Sequence, residues 1–194
     1  SWPTPQEYNE AIQNPPSAFE DHELRAGHPL LTPLGLPRPI TGAFASVYQL
    51  ACPNGRTVAV RCFLRDFGDH QERYAAISAH LARVRLSYMT NFTYLANGIR
   101  VNGRWYPVLK MDWLEGETLQ TYVERNLHNP DALRDLAAQW VAMAQELRTA
   151  WIGHGDLQHG NVIVSGGKLR LIDYDGMFVP ALAGRQSHEI GHRN

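Results

Sequence analysis

The chain has 194 residues, of which 44% are hydrophobic and 19% charged, and its formal net charge is −1. This composition is typical of a soluble globular protein with one domain or two small lobes, and the charge gives no sign of a nucleic-acid or membrane partner. No apolar run approaches the roughly 20 residues that a membrane-spanning helix needs, and the first residues lack the pattern of a signal peptide. The cysteines, Cys52 and Cys62, are expected to be free thiols in a reducing cytoplasm.

Residues 1–39 are rich in proline and show no long periodic segment, so they are expected to form an N-terminal extension. Thr4, Pro5 and Glu7 predict the start of a short helix, because they supply a capping residue, a proline at the first helical position and a capping box. The stretch HPLLTPLGLPRP is expected to be extended, and either to pack on a neighbouring element or to serve as a linker.

Residues 40–111 show the pattern of a small β-rich lobe with one helix. The runs ITGAFASVYQL and GRTVAVRCF are joined by CPNG, and Asn-Gly is the strongest short hairpin signal. A second hairpin is predicted across FTYLANGIRV and GRWYPVLKMDWL, with Asn102 and Gly103 at the turn. Between the hairpins, apolar residues at helical spacing predict a helix at about residues 70 to 85: Tyr74, Ile77, Leu81 and Val84.

Residues 112–194 are predicted to be mainly helical after a connector near 112–117. Apolar residues spaced by three and four positions predict a long amphipathic helix whose stripe belongs to the core: Leu133, Leu136, Trp140, Met143, Leu147 and Trp151. The runs NVIV and KLRLID then predict two short strands joined by SGG. The expected fold class is therefore α+β, in two lobes.

The segment HGDLQHGNVIVSGGKLRLIDYDG carries the residues with the clearest chemistry. Asp156 and Asn161 lie on one predicted loop, and Asp173 returns beside them after the hairpin. A carboxylate and an amide oxygen suit Mg²⁺, while a separate carboxylate can orient an attacking hydroxyl. In isolation Asp156 and Asn161 also fit turn caps, and His154 is expected to be a hydrogen-bonded structural residue.

HGDLQHGN resembles the catalytic loop of the protein kinase superfamily, His-Arg-Asp-Leu-x-x-x-Asn, and IDYDG resembles the Asp-Phe-Gly that follows it. The resemblance implies that Asp156 is the catalytic base and that Asn161 and Asp173 bind magnesium. Tyr174 then takes the place of the phenylalanine. Asp175, which stands where the glycine normally stands, is a second candidate for the metal, but the strand LRLI leads directly into Asp173 and favours it.

Other stretches resemble ATP-binding elements of the same superfamily, in the expected order over roughly residues 40–190. VAVRCF resembles the third strand, ITGAFASV the glycine-rich loop and KMDWLEGETL the hinge. The resemblance implies a two-lobed protein-kinase-like fold that binds ATP and Mg²⁺. The nucleotide-binding residues that it implies are Gly42, Val47, Ala59, Arg61, Glu72, Met111, Asp112, Leu114, Glu117 and Ile163.

Each of these residues has an implied role. Ala59 covers the adenine, Ile163 forms the floor of its pocket, and Met111 is the gatekeeper. The backbone at Asp112 and Leu114 faces the adenine and Glu117 lies near the ribose. Glu72 is the acidic residue placed to pair with the third-strand cation, although an exposed, solvated glutamate fits nearly as well.

The expected third-strand lysine is Arg61 in this chain. Arginine keeps the charge but is not interchangeable with a compact ammonium, so it is expected to hold ATP while placing the phosphates imperfectly. The only lysines are Lys110, which strand alternation points away from the pocket, and Lys168, which is predicted to lie in an exposed turn. Neither is expected to substitute.

Further departures concern the phosphate site. Gln158 stands where a second phosphate-facing lysine is usual, and Gly155 replaces the arginine that precedes the catalytic aspartate. Of three loop glycines only Gly42 is kept, with Ile40 and Ala45 at the other positions, so the phosphate cradle is expected to be looser. Activation through a phosphorylated loop is not expected without the arginine.

MFVPALAGRQSHEIGHRN resembles the beginning of an activation segment, and the Ala-Pro-Glu closure does not follow within the 194 residues. The C-lobe is therefore expected to be truncated, as a fragment of a longer protein or as a reduced lobe. The leading hypothesis is slow transfer of the ATP γ-phosphate to a Ser or Thr hydroxyl of a protein substrate. The alternatives are a pseudokinase that binds nucleotide or a protein partner, and a small-molecule phosphotransferase.

Overall fold

The computed structural model describes residues 1–66, 68–155, 157, 159–174 and 177–184. Within these residues the protein is α+β, as the sequence predicts, and it contains six α-helices and three antiparallel sheets. The chain divides into two compact units: unit 1 comprises Ser1–Gln71 and Asn91–Trp113, and unit 2 comprises Glu72–Thr90 and Leu114–Asn194. None of the helices in the described part of the chain has the length and apolar character needed to cross a membrane.

Unit 1 is built on a six-stranded antiparallel sheet with three short helices before it. The strands are ordered β1-β3-β4-β6-β5, and β2 pairs with the other end of β3. The elements are α1 (Pro5–Ile12), α2 (Pro15–Ala18), α3 (His22–Arg25), β1 (His28–Pro29), β2 (Ile40–Thr41), β3 (Ala45–Ala51), β4 (Thr57–Phe63), β5 (Phe92–Val101) and β6 (Arg104–Asp112).

Both predicted hairpins of unit 1 are present, and each turns at an Asn-Gly pair. The β3–β4 connection places Asn54 at φ 64° and Gly55 at φ 73°, and the β5–β6 connection places Asn102 at φ 49° and Gly103 at φ 81°. Left-handed φ at both central residues matches the right-handed twist of the flanking strands. The local sequence therefore sets these two turns.

The N-terminal extension belongs to the core of unit 1. Helix α1 begins with the predicted capping box, in which Thr4 Oγ1 accepts from the Glu7 N–H at 3.3 Å and Glu7 Oε2 accepts from the Thr4 N–H at 2.8 Å. His28 and Pro29 are extended and pair with β3. Apolar residues of the three helices are buried in one cluster with strand residues, among them Tyr8, Ile12, Phe19, Leu24, Tyr48, Val58, Val60, Cys62 and Val108.

Both cysteines are free and buried, in agreement with the prediction of free thiols. Burial raises the pKa of the Cys62 thiol and that of the Cys52 thiol. Since the thiolate is the reactive form, both side chains serve packing in this fold.

Unit 2 contains the longer helices and two small sheets. Helix α4 (His70–Val84) starts at the end of the first segment of unit 1, and its residues Tyr74 and Ile77 are buried as predicted. The later elements are β7 (Glu117–Thr118), α5 (Leu119–Arg125), α6 (Pro130–Thr149), β8 (Gly153–His154), β9 (Val162–Ser165), β10 (Lys168–Leu171) and β11 (Met177–Phe178). The sheets have the orders β10-β9-β7 and β11-β8.

Helix α6 buries Leu136, Met143 and Leu147, but the prediction that Trp151 belongs to this core stripe is wrong. Trp151 is 79% exposed and has φ 59°. The helix ends at Thr149, so the helical spacing no longer applies two residues later. Two carbonyl groups of the last turn instead accept from the N–H groups that follow it, as in a Schellman C-cap.

The prediction that Lys168 lies in an exposed turn is also wrong. Gly166 and Gly167 form the turn, with φ 58° and 76°, and Lys168 is the first residue of β10, opposite Ser165. Its side chain is partly buried, and the ammonium lies 5.7 Å from the centroid of the Tyr88 ring. Two glycines suffice for the turn, and β10 begins at Lys168, where the run KLRLID predicted the strand to start.

Candidate functional site

Four of the predicted nucleotide residues share one face of the unit 1 sheet. Val47 pairs with Arg61, and Ala59 pairs with Met111. Residues directly opposite in an antiparallel ladder lie on the same face, as do residues two apart on one strand. The four side chains therefore form one patch, in which Ala59 and Met111 are each 7% exposed and the other two are partly buried.

Lys110 projects from the opposite face, as strand alternation predicted. It pairs with Val60 and donates to both oxygens of Asp21, at 2.9 and 3.0 Å. Burial alone would raise the pKa of Asp21, but the Leu24 N–H and Lys110 outweigh it and hold the pKa below its usual value. Lys110 therefore anchors the helical extension and leaves Arg61 as the cation on the patch.

Gly42 lies in a tight connection between β2 and β3. Its N–H donates to the Ala45 carbonyl at 2.9 Å, and the Thr41 and Ser46 hydroxyls lie 3.1 Å apart across the same connection. Gly42 does not adopt a left-handed φ, and the nearest atom to an added Cβ would be Ala45 O at 3.9 Å. This loop therefore keeps its shape without depending on glycine.

The end of β6 is tied to its surroundings by charged side chains. Asp112 Oδ1 accepts from Arg56 at 2.7 Å, and Arg56 also donates to Glu23 at 3.0 Å. The hydrogen bond to Asp112 raises the pKa of Arg56. The Trp113 N–H donates to the Thr57 carbonyl at 3.1 Å. The chain passes from unit 1 to unit 2 directly after Trp113, within the predicted hinge.

Unit 2 brings Asn161 and Asp173 onto adjacent backbone segments. The strands β9 and β10 pair as far as Val162 opposite Leu171, and the Ile172 N–H extends the ladder by donating to the Asn161 carbonyl at 3.0 Å. Asn161 is 9% exposed and Asp173 is partly buried. The hairpin therefore places the backbones of the two predicted magnesium ligands on neighbouring segments, with Ile172, the residue before Asp173, directly opposite Asn161.

His154 secures the position of Asp173. Its Nε2 lies 2.7 Å from the Asp173 carbonyl oxygen, which can only accept, so Nε2 is the donor. Strand pairing also places His154 opposite Met177, which follows the Asp173 segment. The prediction of a hydrogen-bonded structural role for His154 is confirmed.

Tyr174 is buried and fixed by a residue that the sequence did not indicate. Its hydroxyl accepts from the Thr90 N–H at 2.7 Å and donates to the Thr90 carbonyl at 2.6 Å, with the Leu171 carbonyl 3.2 Å away. Burial raises the pKa of Tyr174 to about 12. The residue directly after Asp173 is therefore held by both backbone polar groups of Thr90.

Glu117 and Ile163 lie on paired strands but do not face the same side. Glu117 is opposite Val164 and Thr118 is opposite Ile163, so alternation places Glu117 and Ile163 on opposite faces of this sheet. Both carboxylate oxygens of Glu117 accept from Arg125, at 3.1 Å for Nε and by a shorter contact for a terminal nitrogen. This pairing lowers the pKa of Glu117.

Several predicted site residues stay without a test. Asp156, Gln158 and Asp175 lie outside the described residues. Glu72 is an exposed residue of α4 in unit 2, and its pairing with Arg61 of unit 1 stays a prediction. Leu114, the first residue after the unit boundary, is partly buried.

The prediction that Asn161 and Asp173 bind magnesium rests on the chemistry of their donor atoms. Among the residues that the structure describes, no three or more His, Cys, Asp and Glu side chains gather in a way that could hold a metal ion. The amide oxygen of Asn161 and the carboxylate of Asp173 are hard ligands that suit Mg²⁺, which usually keeps water and phosphate oxygens as its remaining ligands. The donor chemistry of the pair therefore suits Mg²⁺, and magnesium binding by these two residues stays a prediction.

Comparison with known proteins adds no assignment, because no family model matches the chain and no curated protein has a matching sequence.

Proposed function

We propose that the protein is a protein-kinase-like domain that binds ATP and magnesium and slowly transfers the γ-phosphate to a Ser or Thr hydroxyl. The observation that carries the proposal is the pairing of Ile172 with Asn161, which brings the two predicted magnesium ligands onto neighbouring backbone segments. This proximity follows from the β9–β10 hairpin alone.

Two further features support the same function. Val47, Ala59, Arg61 and Met111 share a sheet face that is small and apolar apart from one cation, which suits an adenine ring with its phosphates. The chain also passes from unit 1 to unit 2 inside the predicted hinge, as expected for a two-lobed kinase-like fold.

In the proposed reaction the substrate hydroxyl oxygen forms a bond to the γ-phosphorus. The bond from that phosphorus to the β,γ-bridging oxygen breaks, and ADP leaves with the electron pair. By the resemblance, Asp156 orients the hydroxyl and accepts its proton. Arg61 holds the α- and β-phosphates. Magnesium, held by Asn161 and Asp173, would neutralise charge on the phosphate oxygens when bound.

A slow rate follows from Arg61 and from the loop around Gly42. Arginine is longer than lysine and offers a planar fork in place of a point charge, so the phosphates are held off the position that transfer requires. A small misplacement of reacting groups costs orders of magnitude in rate. We therefore expect binding to be better preserved than turnover.

The test is phosphate transfer by Asp156→Asn, compared with ATP affinity of the same variant. Loss of transfer with nearly unchanged affinity is expected, because the aspartate acts on the hydroxyl and not on the nucleotide. Equal turnover in the variant and the parent would remove Asp156 from the mechanism.

A pseudokinase is the second candidate, and the Gly42 loop favours it. A phosphate-binding loop that does not depend on glycine has no backbone position reserved for close approach to phosphate. In that case the domain binds nucleotide without transferring phosphate. Appearance of transfer in Arg61→Lys, when the parent shows none, would favour this candidate.

A further inference from the structure

One peptide group at the end of β4 connects the N-terminal segment with the loop around Gly42. The Phe63 carbonyl accepts from the Tyr8 hydroxyl at 2.7 Å and from the Trp2 indole N–H by a shorter contact. The N–H of the same peptide group, that of Leu64, donates to the Phe44 carbonyl at 2.8 Å. All of these residues belong to unit 1.

Aromatic packing holds the same strand end. The His70 ring stacks on Phe63 with centroids 4.3 Å apart, and Trp2 lies edge-on to His70 at 6.0 Å. Trp2 also contacts Tyr106 edge-on at 5.3 Å. His70 is 6% exposed and Phe63 is 1% exposed, so water is largely excluded from this stacked pair, whereas Trp2 and Tyr106 are partly buried. The N-terminal residues thus contact the last residue of β4 and the first residue of α4.

The two sides of a peptide group influence each other. A carbonyl that accepts hydrogen bonds polarises its peptide, and the N–H of that peptide becomes a stronger donor. Donation by Trp2 and Tyr8 to Phe63 therefore strengthens the bond from Leu64 to Phe44. Phe44 belongs to loop 42–44, and Phe63 lies two residues after Arg61 on the same strand.

We propose that Trp2 and Tyr8 are positioning residues of the nucleotide site, and that they hold loop 42–44 and the end of β4 through the Phe63–Leu64 peptide. The inference rests on the proposed function, in which this loop and Arg61 meet the nucleotide phosphates. Residues 2–12 then set how well the site is formed, without contacting the nucleotide themselves.

The test compares Trp2→Phe and Tyr8→Phe in the full chain with Tyr48→Phe as the matched control. The first two variants keep an aromatic ring and lose one donor to Phe63. The Tyr48 hydroxyl instead bonds Asn9 Oδ1 at 2.5 Å, which fastens α1 to β3 away from the β4 end. Each variant removes one hydrogen bond that is buried or partly buried, so similar losses of unfolding temperature are expected.

Magnesium–ATP affinity is expected to fall by about twofold to fivefold in Trp2→Phe and in Tyr8→Phe, with the free energy of one hydrogen bond as the upper limit, and to change less than twofold in Tyr48→Phe. Equal affinities in all four proteins would overturn the inference. It would be overturned equally if Tyr48→Phe weakened binding as much as Tyr8→Phe does.

Amide hydrogen exchange at Leu64 tests the positioning role of Trp2 and Tyr8 in the absence of nucleotide. The Leu64 amide is expected to exchange about fivefold faster in Trp2→Phe and Tyr8→Phe than in the parent and in Tyr48→Phe, because its bond to Phe44 is weakened. Unchanged Leu64 exchange would overturn the positioning role. If the parent binds no ATP, the proposed function fails, and the exchange rates still decide whether residues 2–12 position the loop.

Discussion

Replacing Tyr174 by phenylalanine removes one hydroxyl from the interior of unit 2. In the parent this hydroxyl accepts from the Thr90 N–H at 2.7 Å and donates to the Thr90 carbonyl at 2.6 Å. Tyr174 is 1% exposed and Thr90 is 5% exposed, so water cannot replace the lost partner. A buried polar group left unsatisfied costs about 1 to 3 kcal/mol. With two such groups at Thr90, we expect a loss of about 2 to 6 kcal/mol.

Urea unfolding followed by circular dichroism measures this loss. Tyr88→Phe is the matched control, because Tyr88 lies in unit 2 and its hydroxyl forms no hydrogen bond within the described part of the chain. We expect the control to stay within about 0.5 kcal/mol of the parent, as is usual for such substitutions. A Tyr174→Phe variant as stable as the control would refute the reasoning about Thr90.

The same hydroxyl predicts a pH dependence. The pKa of Tyr174 is raised from 10 to about 12 because burial disfavours the phenolate. The folded state therefore keeps a proton that the unfolded state loses, and the stabilisation is complete below about pH 10 and is lost as the pH rises to about 12. Over this range the parent is expected to lose stability more steeply than Tyr174→Phe, and parallel curves would contradict the assignment.

Three further substitutions test the packing of the two units. Gly116→Ala places a Cβ 2.5 Å from the Val164 carbonyl oxygen and is expected to lower the unfolding free energy in urea by about 1 to 3 kcal/mol. Gly42→Ala is its control, because the added Cβ meets no atom closer than 3.9 Å and the stability should hardly change. Equal stabilities of the two variants would contradict this reasoning. Lys110→Met leaves Asp21 without its cation, so the pKa of Asp21 should rise towards its usual value in an NMR titration and the unfolding free energy should fall by about 1 to 2 kcal/mol. An unmoved Asp21 pKa would show that the Leu24 N–H alone sets it.

Local signals in the sequence predicted much of the fold. The Asn-Gly turn at Asn102 and Gly103 indicated one hairpin, and the capping box at Thr4 indicated the start of α1, because turn and cap chemistry depend on a few neighbouring residues. Helices α2 and α3 were not predicted, since each has four residues and is too short to show a period. Their stability comes from packing on the sheet, which no local pattern records.

The backbone proximity of Asn161 and Asp173 was predictable, because it follows from one hairpin. The strands around SGG place Asn161 opposite Ile172, one residue before Asp173, and magnesium binding there stays a prediction. The contact of Tyr174 with Thr90 spans 84 positions along the chain. The pairing of Glu117 with Arg125 depends on the direction of α5 relative to β7, which it follows in the chain. Such contacts arise from tertiary packing and leave no mark on local spacing.

The central claim is that this chain binds ATP through magnesium held at Asp173. Thermal unfolding with and without ATP and magnesium, on the parent and on Asp173→Asn, tests it most directly. Ligand that binds only the folded state stabilises it, by about 2.7 kcal/mol at a hundredfold excess over the dissociation constant. We expect ATP to raise the unfolding temperature of the parent only with magnesium, and to leave Asp173→Asn unchanged. No shift of the parent at millimolar ATP, or an equal shift in both proteins, would contradict the claim.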